Sequence, residues 1–223
     1  GSDITTGSDI TTIPPPTDRT PGTMRAAAAT GTGEAGAIGT GKAGVMNEEL
    51  RAELLERADR DQAARNSLPP GGAWEEWDTI VGPVDEANSA WLREAVAAHG
   101  WPGQALVGQD GAHAAWLLVQ HAPLDFQEQC LPLLEDAAAR GDASPRDLAY
   151  LKDRVLMFHG EPQIYGTQYM VKDGVPELWT VRDPEGLDDR RAALGLEPEH
   201  ENRARLQARH TDPAPEADTP DPS

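Results

Sequence analysis

Residues 110–122 carry Ala112, Ala114, Ala115, Trp116, Leu117, Leu118 and Val119, apolar on nearly every side of a helix. Such a helix has no face to give to water, so it belongs at the buried centre of its domain. The elements around it must then be amphipathic, and the sequence supplies them mostly as helices. Upstream, residues 46–65 repeat Leu50, Leu54, Leu55 and Ala58 at helical spacing until Pro69-Pro70-Gly71 stops them. Trp74 and Trp77 read as loop residues. A second helix starts near Pro83, carries Val84, Ala87, Trp91, Leu92, Ala95 and Val96 on one face, and ends at Gly100-Trp101-Pro102.

Downstream, residues 123–140 place Phe126, Cys130, Leu133, Leu134 and Ala137 inward, with Pro132 expected to bend the helix. The fifth helix has the clearest start. Ser144 is a good N-cap, Pro145 fits the first helical position, and Asp147 stands where a capping box has its acid. Leu148, Leu151, Val155 and Leu156 form its apolar face, closed by Gly160 and Pro162. The texture then changes: residues 168–172 and 175–181 are β-prone and flank Asp173-Gly174, a strong hairpin signal. Pro176 restricts its strand to an edge. Short helices are expected near 188–194 and 199–208. The fold class is therefore mainly α, a core of about five helices with a C-terminal β-hairpin and short terminal helices.

Residues 46–210 are expected to form a single globular domain. Residues 1–12 are one hexapeptide written twice and read as an artificial leader; the tract to Val45 is rich in Pro, Gly, Ala and Thr. Residues 1–45 and the acidic 211–223 are both expected to be disordered tails. Met24 and Met46 are both candidate translation starts.

The formal net charge of -19 disfavours nucleic acid and anionic membrane surfaces as partners, because both recruit Lys and Arg. It leaves small polar molecules, peptides and basic proteins. Cys130 is the single cysteine, no apolar stretch reaches membrane-spanning length, and no secretory leader is evident, so the expected compartment is the cytoplasm. Two glycine motifs are decoys. Gly31-Thr32-Gly33-Glu34-Ala35-Gly36 matches a dinucleotide fingerprint, and Gly36 through Lys42 nearly matches a phosphate-binding loop, with Ala43 where Ser or Thr is required. Both need a strand before and a helix after, and both lie in low-complexity sequence.

One polar constellation stands beside the apolar helices. Gln120-His121 ends the central helix, Asp153-Arg154 lies within the fifth, and Gln163, Tyr165, Thr167 and Gln168 follow it. Buried polar groups cost roughly 1–3 kcal/mol each unless paired, so this concentration needs a reason. As a pocket at the helix ends, it makes His121, Asp153 and Tyr165 the candidate catalytic groups, with His121 as general acid or base. Gln120, Arg154, Gln163, Thr167 and Gln168 are then candidate substrate-binding residues. The plainer alternative makes Asp153-Arg154 a helix-face charge pair and His121 a favourable helix C-terminus. No HExxH, paired cysteine or calcium-loop spacing is present, and a His121–Asp153–His159 cluster follows no spacing rule, so neither metal nor cofactor is expected. Cys130 on an apolar face reads as a structural thiol.

Taken together, Ala114-Ala115-Trp116-Leu117-Leu118-Val119-Gln120-His121-Ala122, Leu148-Ala149-Tyr150-Leu151 with Asp153-Arg154-Val155, and Pro162-Gln163 with Tyr165-Gly166-Thr167-Gln168 resemble a bacterial family, common in actinomycetes, known as a domain of unknown function. The resemblance runs from about Met46 to Leu196, with Asp61-Gln62, Arg65, Asp188 and Arg190-Arg191 resembling the family's flanks. It implies a shared fold and a shared polar site, and brings no activity with it. The function expected is an enzyme using acid–base chemistry on a small polar molecule or peptide, with hydrolysis in view. The alternative is an acidic protein-binding module, of the immunity or regulatory kind, without catalysis.

Overall fold

The computed structural model describes residues 46–68, 74–172 and 175–211. Residues 1–45 and 212–223 of the expected tails, with the glycine motifs between Gly31 and Ala43, and the Asp173-Gly174 pair lie outside the described residues, while Thr211, expected in the C-terminal tail, ends a helix. Among the described residues six helices precede the hairpin: α1 (Glu48–Asn66), α2 (Trp74–Ile80), α3 (Gly82–His99), α4 (Gln104–Gln120), α5 (Leu124–Ala139) and α6 (Pro145–Phe158). Strands β1 (Tyr169–Lys172) and β2 (Val175–Leu178) follow, then α7 (Leu187–Ala193) and α8 (Glu199–Thr211). The mainly α class holds. None of the described helices is long and apolar enough to cross a membrane.

The central helix is α4. Val107, Ala115, Leu118 and Val119 are fully or almost fully buried, and α1 packs along it. Leu54 from α1, Leu92 from α3, Phe126 and Leu134 from α5 and Leu151 from α6 complete one hydrophobic cluster around it. Side-chain caps account for the starts of α1 and α6. Asn47 caps α1 by accepting from the Leu50 N–H at 3.0 Å, and Ser144 caps α6 by accepting from the Asp147 N–H at 3.3 Å. The carboxylate of Asp147 is not spent on a capping box; it lies 3.2 Å from His113 Nδ1.

Three details differ from the sequence reading. Trp74 and Trp77 lie in a helix, not a loop, because Trp77 and Val81 repeat at helical spacing and the Val81 N–H donates to the Trp77 carbonyl at 2.9 Å. The start of α4 is six residues earlier than Asp110. Its first N–H groups find acceptors on Asp142, with Gln104 N donating to the carbonyl at 2.8 Å and Ala105 N to Oδ1 at 2.7 Å. Gly108, with φ at 75°, then interrupts the helix four residues in, and the all-apolar part follows. On α3 the buried face opens with Asn88 and Ser89 instead of Ala87, which is exposed.

The hairpin is antiparallel, with Tyr169 opposite Leu178 and Lys172 opposite Val175. Beyond Leu178 the pairing continues as an irregular ribbon: Trp179 N donates to the Gln168 carbonyl and Gln163 N to the Thr180 carbonyl. That ribbon brings residues 163–168 back against α6.

Candidate functional site

The buried stripe of α1 is Leu50, Leu54 and Ala58, and the same spacing continues to Asp61 and Arg65. The register of the helix therefore carries a carboxylate and a guanidinium inward. Asp61 is 1% exposed. Arg65 Nε lies 3.2 Å from Asp61 Oδ2, and Arg65 Nη2 lies 2.5 Å from Asp85 Oδ1 in the first turn of α3. Trp77 from α2 covers the Arg65 guanidinium, 5.0 Å from its ring centre. The C-terminus of α4 delivers His121, whose side chain is 5% exposed and whose Nδ1 lies 2.9 Å from Asp61 Oδ2.

These contacts fix the histidine's tautomer. Nδ1 cannot both donate to Asp61 and accept from Arg65 Nε, which stands 3.1 Å away. Arg65 Nε already reaches the Asp61 carboxylate, so the consistent arrangement has Nδ1–H donating to Asp61 and Nε2 left as the free base. Burial pushes His121 down to about 4 against the hydrogen bond and charge of Asp61, leaving the ring neutral at neutral pH. Burial works to raise Asp61, but the His121 hydrogen bond and the Arg65 charge outweigh it and hold the carboxyl down to about 2. Burial pushes Asp85 up to about 6, against the pull of Arg65 and with the charge of Asp61 behind it.

His121 stands on the wall of a cavity of about 770 Å³. Gln120 shares that wall, as does Arg154 from α6, which is 7% exposed. Desolvation lowers the Arg154 guanidinium to about 10, so it remains a cation. Thr167 and Gln168 reach the cavity from the irregular ribbon, and Trp116 and Tyr150, edge to face at 6.0 Å, give it an aromatic side. The structure thus brings Gln120, His121, Arg154, Thr167 and Gln168 to one hollow.

The other expected residues are placed differently. The carboxylate facing His121 is Asp61, whereas Asp153 is committed to the 164–167 turn. Asp153 accepts from the N–H groups of Ile164 at 2.7 Å, Tyr165 at 3.0 Å and Thr167 at 3.1 Å, and from the Thr167 hydroxyl at 3.1 Å. Burial raises its carboxyl, and those donors pull the other way. Gln163 is fully buried and gives its amide to the Gln168 and Trp179 carbonyls. Tyr165 is half-buried and does not line the cavity. Neither Asp153 nor Arg154 forms a surface pair, since both are buried. His159 is exposed, its Nε2 lying 2.6 Å from Glu128 Oε1, so His121, Asp153 and His159 form no common cluster. Cys130 is buried, and burial pushes its thiol up to about 12, a structural position.

Sequence reasoning gives no site role to Asp61, Arg65 and Asp85, although Asp61 and Arg65 are among the residues that resemble the family's flanks. A signal existed: charges continuing an apolar stripe at its own spacing. Asp61, Asp85 and His121 each offer a ligand atom within 4.8 Å of the others, the one such trio among the described residues. The Arg65 guanidinium contacts all three, so one positive charge already lies against the two acids.

No curated protein and no solved structure matches the chain. The model of a family of unknown function, DUF6624, matches residues 48–210, which include α1 with Asp61, α4 with His121 and the irregular ribbon, and the chain belongs to that family.

Proposed function

We propose that this chain is an enzyme that carries out acid–base chemistry, of a hydrolytic kind, on a small polar molecule or peptide held in the cavity. The observation that carries this reading is the buried Asp61–His121 contact of 2.9 Å on the cavity wall. A carboxylate on Nδ1 fixes the imidazole's tautomer and orientation and stabilises the imidazolium formed when Nε2 takes a proton. His121 is the base toward water or a substrate proton, and Asp61 is its positioning residue. Arg65 holds Asp61, and Asp85 holds Arg65. Asp153 serves the reaction at one remove, by fixing the ribbon that presents Thr167 and Gln168.

The test is turnover of a panel of simple esters, amides and N-acylated dipeptides by the full chain at pH 7. His121→Asn is expected to lower kcat by on the order of 10²–10⁴, the contribution of a general base. Asp61→Asn is expected to lower it through the wrong tautomer while leaving KM nearly unchanged. The acid limb of the wild-type profile is expected near pH 4, where His121 takes up its proton. Undiminished turnover in His121→Asn would end the proposal.

A further inference from the structure

We infer that the cavity takes a small organic anion whose carboxylate is held by Arg154 and Gln120. This names the substrate class of the site above and rests on that reading. Among the described residues, no carboxylate oxygen comes within 4.0 Å of the Arg154 guanidinium, and its Nε has no hydrogen-bond partner. The ring of Phe158, 5.8 Å away, offers a cation–π attraction and no acceptor.

Gln120 sharpens the point. Its amide is satisfied when its oxygen accepts from the Leu151 N–H at 2.9 Å and from Trp116 Nε1 at 3.0 Å. The amide nitrogen then faces Arg154 Nη1 at 3.5 Å, two donors side by side with no acceptor between them. Both side chains are more than nine-tenths buried and both line the cavity. A buried donor without an acceptor is costly, more so when charged, and a bound carboxylate oxygen removes that cost. Asp61 and Asp85 do not meet this need, since both are engaged with Arg65.

The net charge of -19 opposes an anion only at long range. Surface charges more than about 8 Å away are largely screened at physiological salt, whereas a desolvated guanidinium in contact is not. The aromatic side formed by Trp116 and Tyr150 suits a ligand whose acid is attached to an apolar body.

The experiment is calorimetric titration of the full chain with N-acetylphenylalanine, its uncharged amide and inorganic phosphate, with the Trp116 indole N–H followed by NMR and located by Trp116→Phe. The acid is expected to bind roughly tenfold or more tighter than the amide, the worth of one charged hydrogen bond, and to shift the Trp116 signal. Arg154→Met is expected to abolish that preference and Arg154→Lys to restore part of it. Should Arg154→Met fail to fold, the acid–amide comparison on the wild-type chain still decides. Equal binding of acid and amide, an undiminished preference in Arg154→Met, or phosphate bound in place of the acid would overturn the inference. Selective acid binding without turnover of the panel would remove the catalytic reading alone. Turnover of neutral substrates without acid preference would remove this one alone.

Discussion

Two buried carboxylates in this molecule have opposite employment. Asp61 faces side chains: the His121 ring and the Arg65 guanidinium, next to an open cavity. Asp153 faces main chain, accepting three backbone N–H groups and one hydroxyl in the 164–167 turn. The carbonyls of that same turn are taken from the other side, Ile164 by Arg190 Nε at 2.8 Å and Tyr165 and Gly166 by Arg191 Nη1 at 2.9 Å. An acid and two guanidiniums thus act as substitutes for a strand partner. Gly166, with φ at 64° against the Leu187 side chain, lets the turn close. What separates a scaffold charge from a site charge here is not burial, which both share. It is whether the partner is fixed backbone or a titratable side chain that a ligand can reach.

That distinction is broken or sharpened most forcefully by truncating each acid. Asp153→Ala strands three N–H groups and a hydroxyl, and a stability loss on the order of 3–5 kcal/mol is expected in urea denaturation. Asp61→Asn keeps an acceptor for Arg65, and a loss of about 1–2 kcal/mol is expected. Equal losses for the two would show that the cluster at Asp61 is as much scaffold as the turn.

Much of this fold is legible because helices are local. The stripes of α1, α5 and α6 and the cap at Ser144 follow from residues within a few positions of each other. The true start of α4 is not legible, because the groups that receive its first N–H donors belong to Asp142, 37 residues from Ala105. The site divides in the same way. Gln120, His121 and Arg154 stand out as polar residues interrupting apolar helices, and the structure puts all three on the cavity wall. Asp61, Arg65 and Asp85 do not stand out, since a charge on an amphipathic helix is read as its wet face unless its spacing is followed strictly. The job of Asp153 was hidden for another reason. A sequence shows that a carboxylate is present, and only geometry shows what donates to it.

A further expected effect concerns pH, and it tests whether the Asp61 region behaves as one coupled unit. His121 is lowered from 6.5 to about 4 in the folded chain. As pH falls below 6.5 the unfolded chain takes that proton first, so folding loses about 3 kcal/mol by pH 4. Asp85 is raised from 3.8 to about 6. As pH falls below 6 the folded chain takes that proton first, so folding gains about 2 kcal/mol by pH 4. The two slopes oppose one another across much of the same window in the wild type. Each single variant uncovers the other group. Relative to wild type, Asp85→Asn is expected to lose stability steadily from pH 6 to 4, and His121→Asn to gain it from pH 6.5 to 4. Denaturation curves at pH 7, 5.5 and 4.5 measure both differences with every other carboxylate held in common. Two variants that run parallel to the wild type would mean that neither group is perturbed by its surroundings. The Asp61 cluster would then be as inert to protons as the Asp153 turn is to ligands.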